Sequence, residues 1–214
     1  SLSSFNIDNA TALEELYTQE SGLSSLTFLN NNSLRILKLN STQMTTLDIS
    51  SLIALEELEI YSQNNLTNLD VSANTALRKL TAYVTNFPSL DFSGNTNIEE
   101  IIVYNNSSLT NIDISGCTSL TKLEAYSTNL DTFNSSNATA LEYLDIDASV
   151  LDEIDLSQLT SLKTFIGGGT NIEEFNFSQN TALETVEISA GPTTAINLKN
   201  GNNNNMVNHR HDAR

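Results

Sequence analysis

A phrase of twelve residues returns about every twenty-one positions along this chain, and a fixed period of that size leaves few folds open. In its clearest form it reads Leu66-Thr67-Asn68-Leu69-Asp70-Val71-Ser72-Ala73-Asn74-Thr75-Ala76-Leu77. Its first apolar residue falls at Leu2, Leu23, Met44, Leu66, Phe87, Leu109, Leu130, Leu151 and Ile172, with a degenerate copy near Ile196, so the spacing is 21 residues, twice stretched to 22. Such a repeat builds a solenoid, in which each coil buries its apolar side only against its neighbours. The 214 residues therefore read as one elongated domain over 1–199, followed by a polar tail or linker over 200–214.

Each period has two halves. The first is the phrase above; the second is shorter, as in Leu77-Arg78-Lys79-Leu80-Thr81-Ala82 and Leu120-Thr121-Lys122-Leu123-Glu124-Ala125. In both, apolar and polar residues alternate with period two, which predicts a short strand buried on one face. The expected fold is an all-β-rich solenoid of about nine coils, two short parallel strands per coil, without long helices and about 45 Å long at the usual inter-strand spacing. Inward residues such as Leu69, Leu80, Ile101, Ile112 and Leu123 each contribute roughly 1.5–3 kcal/mol on burial, before conformational entropy is subtracted. Between the strands stand Asn, Ser, Thr and Gly, the residues of turning backbone. The row Asn74, Asn95, Asn180 places an amide where the coil bends and main-chain groups lose water. Cys117, the only cysteine, occupies that row and reads as a small buried turn residue, with nothing cationic beside it to activate a thiol.

On these residues the chain resembles the leucine-rich repeats. Leu66-x-x-Leu69-x-Val71-x-x-Asn74-x-x-Leu77 looks like that family's conserved segment, whose Asn position also takes Cys, as at Cys117. The nesting of two segments in 21–22 residues is similar to short bacterial repeats, and the wording to secreted and cell-surface repeats of Bacteroidota. The resemblance implies a binding or adhesion module. One departure is that the second half usually lacks Asn at its equivalent turn, as at Thr85 and Thr128, so that turn is expected to differ from the family's.

The outward rows are where function should show. Tyr61, Tyr83, Tyr104 and Tyr126 fall at one position in four consecutive coils, with Tyr17 and Tyr143 in neighbouring rows of the same strand face. With Lys79, Lys122, Glu59 and Glu124 beside them they form the candidate ligand-binding face, since Tyr offers large contact area and a hydroxyl at low entropic cost. Both a sugar and an extended protein segment suit it. The plainer alternative is that stacked rings only stabilise the ladder. A second row, Asp48, Asp70, Asp91, Asp113 and Asp155, is expected to be satisfied by turn amides and Ser hydroxyls; it lacks the glycine-rich loop of calcium-binding solenoids, and no metal site is assigned. A third row, Thr11, Thr75, Thr96, Thr118, Thr139, Thr160 and Thr181, resembles ice-binding surfaces, though one Thr per turn is a weaker array than paired threonines.

Nine Lys and Arg against 26 Asp and Glu give a formal charge of −17, which argues against nucleic acid as a partner. No apolar run approaches the roughly 20 residues that cross a bilayer. A start at Ser1 without a signal peptide suggests a segment of a longer exported precursor. The two histidines, His209 and His211, lie in the polar tail, the paired glutamates recur with the repeat, and Gly167-Gly168-Gly169 is no phosphate loop but a place where a coil relaxes or bulges. No catalytic residue and no cofactor is expected. The sequence thus points to a non-enzymatic recognition module, secreted or on a cell surface, for a protein or glycan. The alternative is a structural subunit of a surface assembly, because the solenoid ends lack polar caps and call for flanking domains or another chain.

Overall fold

A computed structural model describes residues 6–18, 22–201 and 208–212. Within them the chain winds as a parallel β-solenoid, and none of these residues is helical. One side is a continuous ten-stranded sheet of β1 (Glu15–Thr18), β2 (Ile36–Asn40), β3 (Glu57–Gln63), β4 (Lys79–Thr85), β6 (Glu100–Ile102), β8 (Lys122–Glu124), β10 (Tyr143–Asp145), β11 (Thr164–Ile166), β13 (Thr185–Ser189) and β15 (Asn208–Asp212). The first nine are the second halves of successive periods, and β15, from the segment read as a polar tail, pairs with β13 as the tenth strand. The other side holds a three-stranded sheet, β5 (Ser89–Asp91), β7 (Asn111–Asp113) and β9 (Thr132–Asn134), and a separate pair, β12 (Glu174–Asn176) and β14 (Ala195–Asn197).

The register follows the repeat. Leu16, Leu37, Leu58, Leu80, Ile101, Leu123, Leu144, Phe165 and Val186 pair in one unbroken column. All from Leu37 onward are fully buried, and the leucines and phenylalanines of the opposite side meet them in a single core. From Glu57 to Tyr61 in β3 the exposures alternate from residue to residue, as period-two patterning requires. At the first described coil Ile7, Leu13 and Leu16 are only partly buried.

The strands of the first-half side are only three residues long, and the reason is local. The side-chain oxygen of Asp48, Asp70, Asp91, Asp113 and Asp155 accepts the backbone N–H of the Ser two residues on, at 2.8–3.0 Å. Each such Asx turn bends the chain out of the strand. The Ser hydroxyl first and then this amide hold the carboxyls of Asp48, Asp70 and Asp155 below the usual Asp range, which explains how like charges tolerate neighbouring coils.

Two polar ladders close the bends. In the first, the Asn side-chain amide donates to two main-chain carbonyls of the preceding coil: Asn74 to Ile49 and Leu52, Asn95 to Val71 and Asn74, Asn180 to Leu156 and Leu159, all at 2.8–3.1 Å. Buried Cys117 makes the corresponding contact to the Phe92 carbonyl at 3.2 Å, and burial pushes its thiol up to about 12, so it is inert. The second turn does differ from the first. There a left-handed residue stands in every coil from Ser41 through Ser62, Val84, Asn105, Ser127, Ala148 and Gly169 to Ala190, with φ between 49° and 65°. The next position, Thr42, Gln63, Thr85, Asn106, Thr128, Ser149 and Thr170, is a buried polar row. Its bonds run within and between coils, as when Thr85 donates its amide and hydroxyl to Asn106 Oδ1 while Asn106 donates to the Ala82 and Val103 carbonyls.

Candidate binding face

The long sheet presents three outward columns. The first runs Glu57, Lys79, Glu100, Lys122, Tyr143 in register; the second runs Lys38, Glu59, Thr81, Ile102, Glu124, Asp145. The third is the tyrosine column, with Asn40, Tyr61 and Tyr83 paired in register and Tyr104 and Tyr126 following the ends of β6 and β8. All nine residues singled out from the sequence thus share one face.

The four rings form one stack. Centroids of Tyr61 and Tyr83 are 4.4 Å apart, those of Tyr83 and Tyr104 5.1 Å, those of Tyr104 and Tyr126 4.7 Å, with planes inclined by 31°, 22° and 7°. The spacing is set by the inter-strand distance, which lies near the thickness of stacked aromatics. Both faces of Tyr83 and Tyr104 are therefore covered, and the stack turns its edges and hydroxyls outward. Burial raises the Tyr83 and Tyr126 phenols, and Tyr143 is pushed up to about 12, chiefly by burial; these hydroxyls remain protonated donors at any physiological pH.

The lysines on this face are already engaged. Lys38 meets Glu57 at 2.7 Å and Glu59 at 3.2 Å, Lys79 meets Glu100 at 2.8 Å, and Lys122 meets Glu124 at 2.9 Å and Glu100 at 3.5 Å. Lys122 also lies over the Tyr143 ring at 5.7 Å, within cation–π range. Toward the later coils carboxylates outnumber them. Asp145 and Asp147, on and after β10, stand near Glu124 and Glu187. Asp145 is 8 % exposed, and burial raises its carboxyl to about 6, with Asp147, Glu124 and Glu187 pushing the same way. Burial raises Asp147 as well.

Asp145 and Asp147 were absent from the sequence-derived set. The available signal was their place two and four residues after Tyr143, in the outward rows of Glu124 and Tyr126. The tyrosine column gives way to Asp147 in the coil after Tyr126 and to a glycine in the coil after that. At Gly168, the residue after Asp147 in this column, a Cβ would collide with the Ser189 carbonyl and come within 2.7 Å of Asp147 Oδ1. The glycines thus permit close approach of coils; β11 keeps its register with β10 and β13 and no residue is inserted. His209 and His211 lie on β15, paired in register with Val186 and Ile188. Among the described residues no group of three His, Cys, Asp or Glu is placed to hold a metal ion. The Thr row is exposed throughout.

No family model matches this sequence, and no curated protein matches it. Solved structures do share its shape. The functional domain of InlJ from Listeria monocytogenes superposes with a TM-score of 0.78 at 23% identity, over 93% of this chain and 51% of that one. A leucine-rich-repeat protein of Leptospira interrogans gives 0.74 at 20% identity, over 94% and 55%. TLR13 in its complex with ssRNA13 gives 0.68 at 21%, over 88% and 31%. The chain spans about half or less of the length of these proteins. What they share with it is the leucine-rich-repeat fold.

Proposed function

We propose that this chain is a non-catalytic recognition module of a bacterial surface or secreted protein, of the kind its repeats resemble in Bacteroidota. In this reading residues 1–199 are the repeat-bearing solenoid and 200–214 the segment after it, of which β15 adds a strand to the long sheet. The recognition face is the long sheet, with Tyr61, Tyr83, Tyr104, Tyr126 and Tyr143 as its apolar contact area and Lys79, Lys122, Glu59 and Glu124 as its polar frame. The observation that carries the reading is the four-ring stack, a continuous half-buried aromatic strip on a face whose other columns are rich in charge.

The same stack favours a protein over a glycan. A sugar packs its C–H face on an open aromatic face, and the inner rings offer none; only the outer faces of Tyr61 and Tyr126 are uncovered by another tyrosine. Ring edges and hydroxyls suit the main chain and side chains of a protein surface. TLR13 shows that the fold also accommodates RNA, but a formal charge of −17 and lysines already paired with carboxylates weigh against a polyanion here. The partly buried Ile7, Leu13 and Leu16 support the alternative of a solenoid whose end packs on another domain or chain.

Conservative substitution separates recognition from stacking. Tyr83→Phe with Tyr104→Phe keeps every ring contact and removes two outward hydroxyls. Immobilised parent and double variant are compared against extracellular-matrix proteins and a glycan array. We expect a protein ligand held by the parent to bind the variant at least several-fold more weakly, with an unchanged melt. Equal retention by both would remove the tyrosine face from recognition.

A further inference from the structure

The first-half side of the solenoid opens at a point that the tyrosine face does not involve. In the column of Leu90, Ile112, Phe133, Ile154 and Phe175, the first, second and last are at most 1 % exposed. Phe133 and Ile154, adjacent in that column and in the middle of the chain, are only partly buried. The backbone explains why. The three-stranded sheet stops at β9, pairing resumes only between β12 and β14, and no main-chain hydrogen bond joins residues 152–155 to 131–134 or to 173–176. A single side-chain bond crosses, from the Ser135 hydroxyl to the Asp155 carbonyl at 3.3 Å.

The two coils therefore part into a cleft of about 410 Å³, with Leu151, Phe133 and Ile154 as its apolar surface and Asp131, Glu153 and Asp155 around it. These carboxylates are exposed, and none is in an ion pair among the described residues. Among the described residues Arg35, Lys38, Arg78, Lys79, Lys122 and Lys163 belong to second halves, and Lys199 follows β14, two coils further along the first-half side. The Ser157 hydroxyl and amide keep Asp155 ionised.

Three demands follow from this lining. The apolar surface is matched by an apolar side chain, the rim by positive charge, and the unpaired strand edges by main-chain donors and acceptors. A small organic cation meets the first two and a sugar only the last. We propose that the cleft is a second binding site, for an extended segment of a partner protein in which an apolar side chain is flanked by arginine or lysine.

The test uses the full chain and a fluorescein-labelled peptide, Ser-Arg-Leu-Arg-Ser, followed by anisotropy. The parent is expected to bind it, with affinity falling as salt rises. Asp131→Lys with Glu153→Lys, two exposed unpaired positions that leave the core untouched, is expected to weaken binding tenfold or more with an unchanged melt. Tyr104→Phe is expected to leave it unaltered, which separates this site from the tyrosine face. The proposal is overturned by absence of binding, by equal binding of Ser-Arg-Ser-Arg-Ser, by indifference to the charge reversal, or by loss of binding in Tyr104→Phe.

Discussion

Replacing Asp145 with Asn should stabilise this protein, and the gain should disappear in acid. The side chain is almost fully buried on β10. Its carboxyl faces Glu124 from β8, Tyr143 and Asp147 from its own segment and Glu187 from β13, while β11 opposes it with uncharged Ile166. The bond that supports the anion is the backbone N–H of Asp147, at 3.1 Å. An aspartate that titrates at 3.8 in the open chain and at about 6 in the fold holds its proton more tightly when folded. Its contribution is therefore fully present below about pH 4, is lost as the pH rises to about 6, and stays lost above. At 1.36 kcal/mol for each tenfold change in proton affinity, the penalty at neutral pH is at most about 3 kcal/mol. Asn removes the charge and keeps an oxygen for the Asp147 amide, as Asn134 and Asn176 do for the amides of Ser136 and Ser178. Asp145→Asn is thus expected to gain about 2–3 kcal/mol at pH 8, which raises the melting temperature by about 5–10 °C in a chain of this size. Urea and thermal unfolding followed by far-ultraviolet circular dichroism at pH 3.5, 5 and 8 check this. An unchanged melt at pH 8, or a gain undiminished at pH 3.5, would refute the reasoning.

Two further substitutions probe the turns. Asn95→Ala withdraws the donor from the buried Val71 and Asn74 carbonyls, which it meets at 3.1 and 3.0 Å, and should cost about 2–4 kcal/mol in urea unfolding; a loss below about 0.5 kcal/mol would mean that the ladder is not held by these bonds. Val84 sits at φ 56°, a conformation that costs a β-branched residue about 1–2 kcal/mol. Val84→Asn, copying Asn105 of the next coil, should raise the urea midpoint by the equivalent of about 1 kcal/mol with an unaltered slope, and a lowered midpoint would count against strain at this row.

The fold was legible in the sequence because a repeat reports its geometry many times over: one Leu tells little, but a column from Leu37 to Val186 spaced by 21 or 22 residues admits one winding. The outward tyrosines were legible for the same reason. What the period could not convey is how outward side chains treat one another once coils are about 4.8 Å apart. Asp70 and Asp145 are both aspartates in regular outward rows, yet Asp70 is held below its ordinary range by Ser72 and Asp145 is raised to about 6 by burial. The tyrosine row reads as a platform in the sequence, but its stacked planes close the inner ring faces and leave edges and hydroxyls. Phe133 and Ile154 carry the same pattern as Ile112 and Phe175, yet a cleft lies between their coils, where no strands pair. Each case turns on a distance between neighbouring coils, which periodicity constrains on average and individual side chains set locally. In a solenoid the repeat therefore identifies the scaffold, and specificity is found where adjacent coils depart from it.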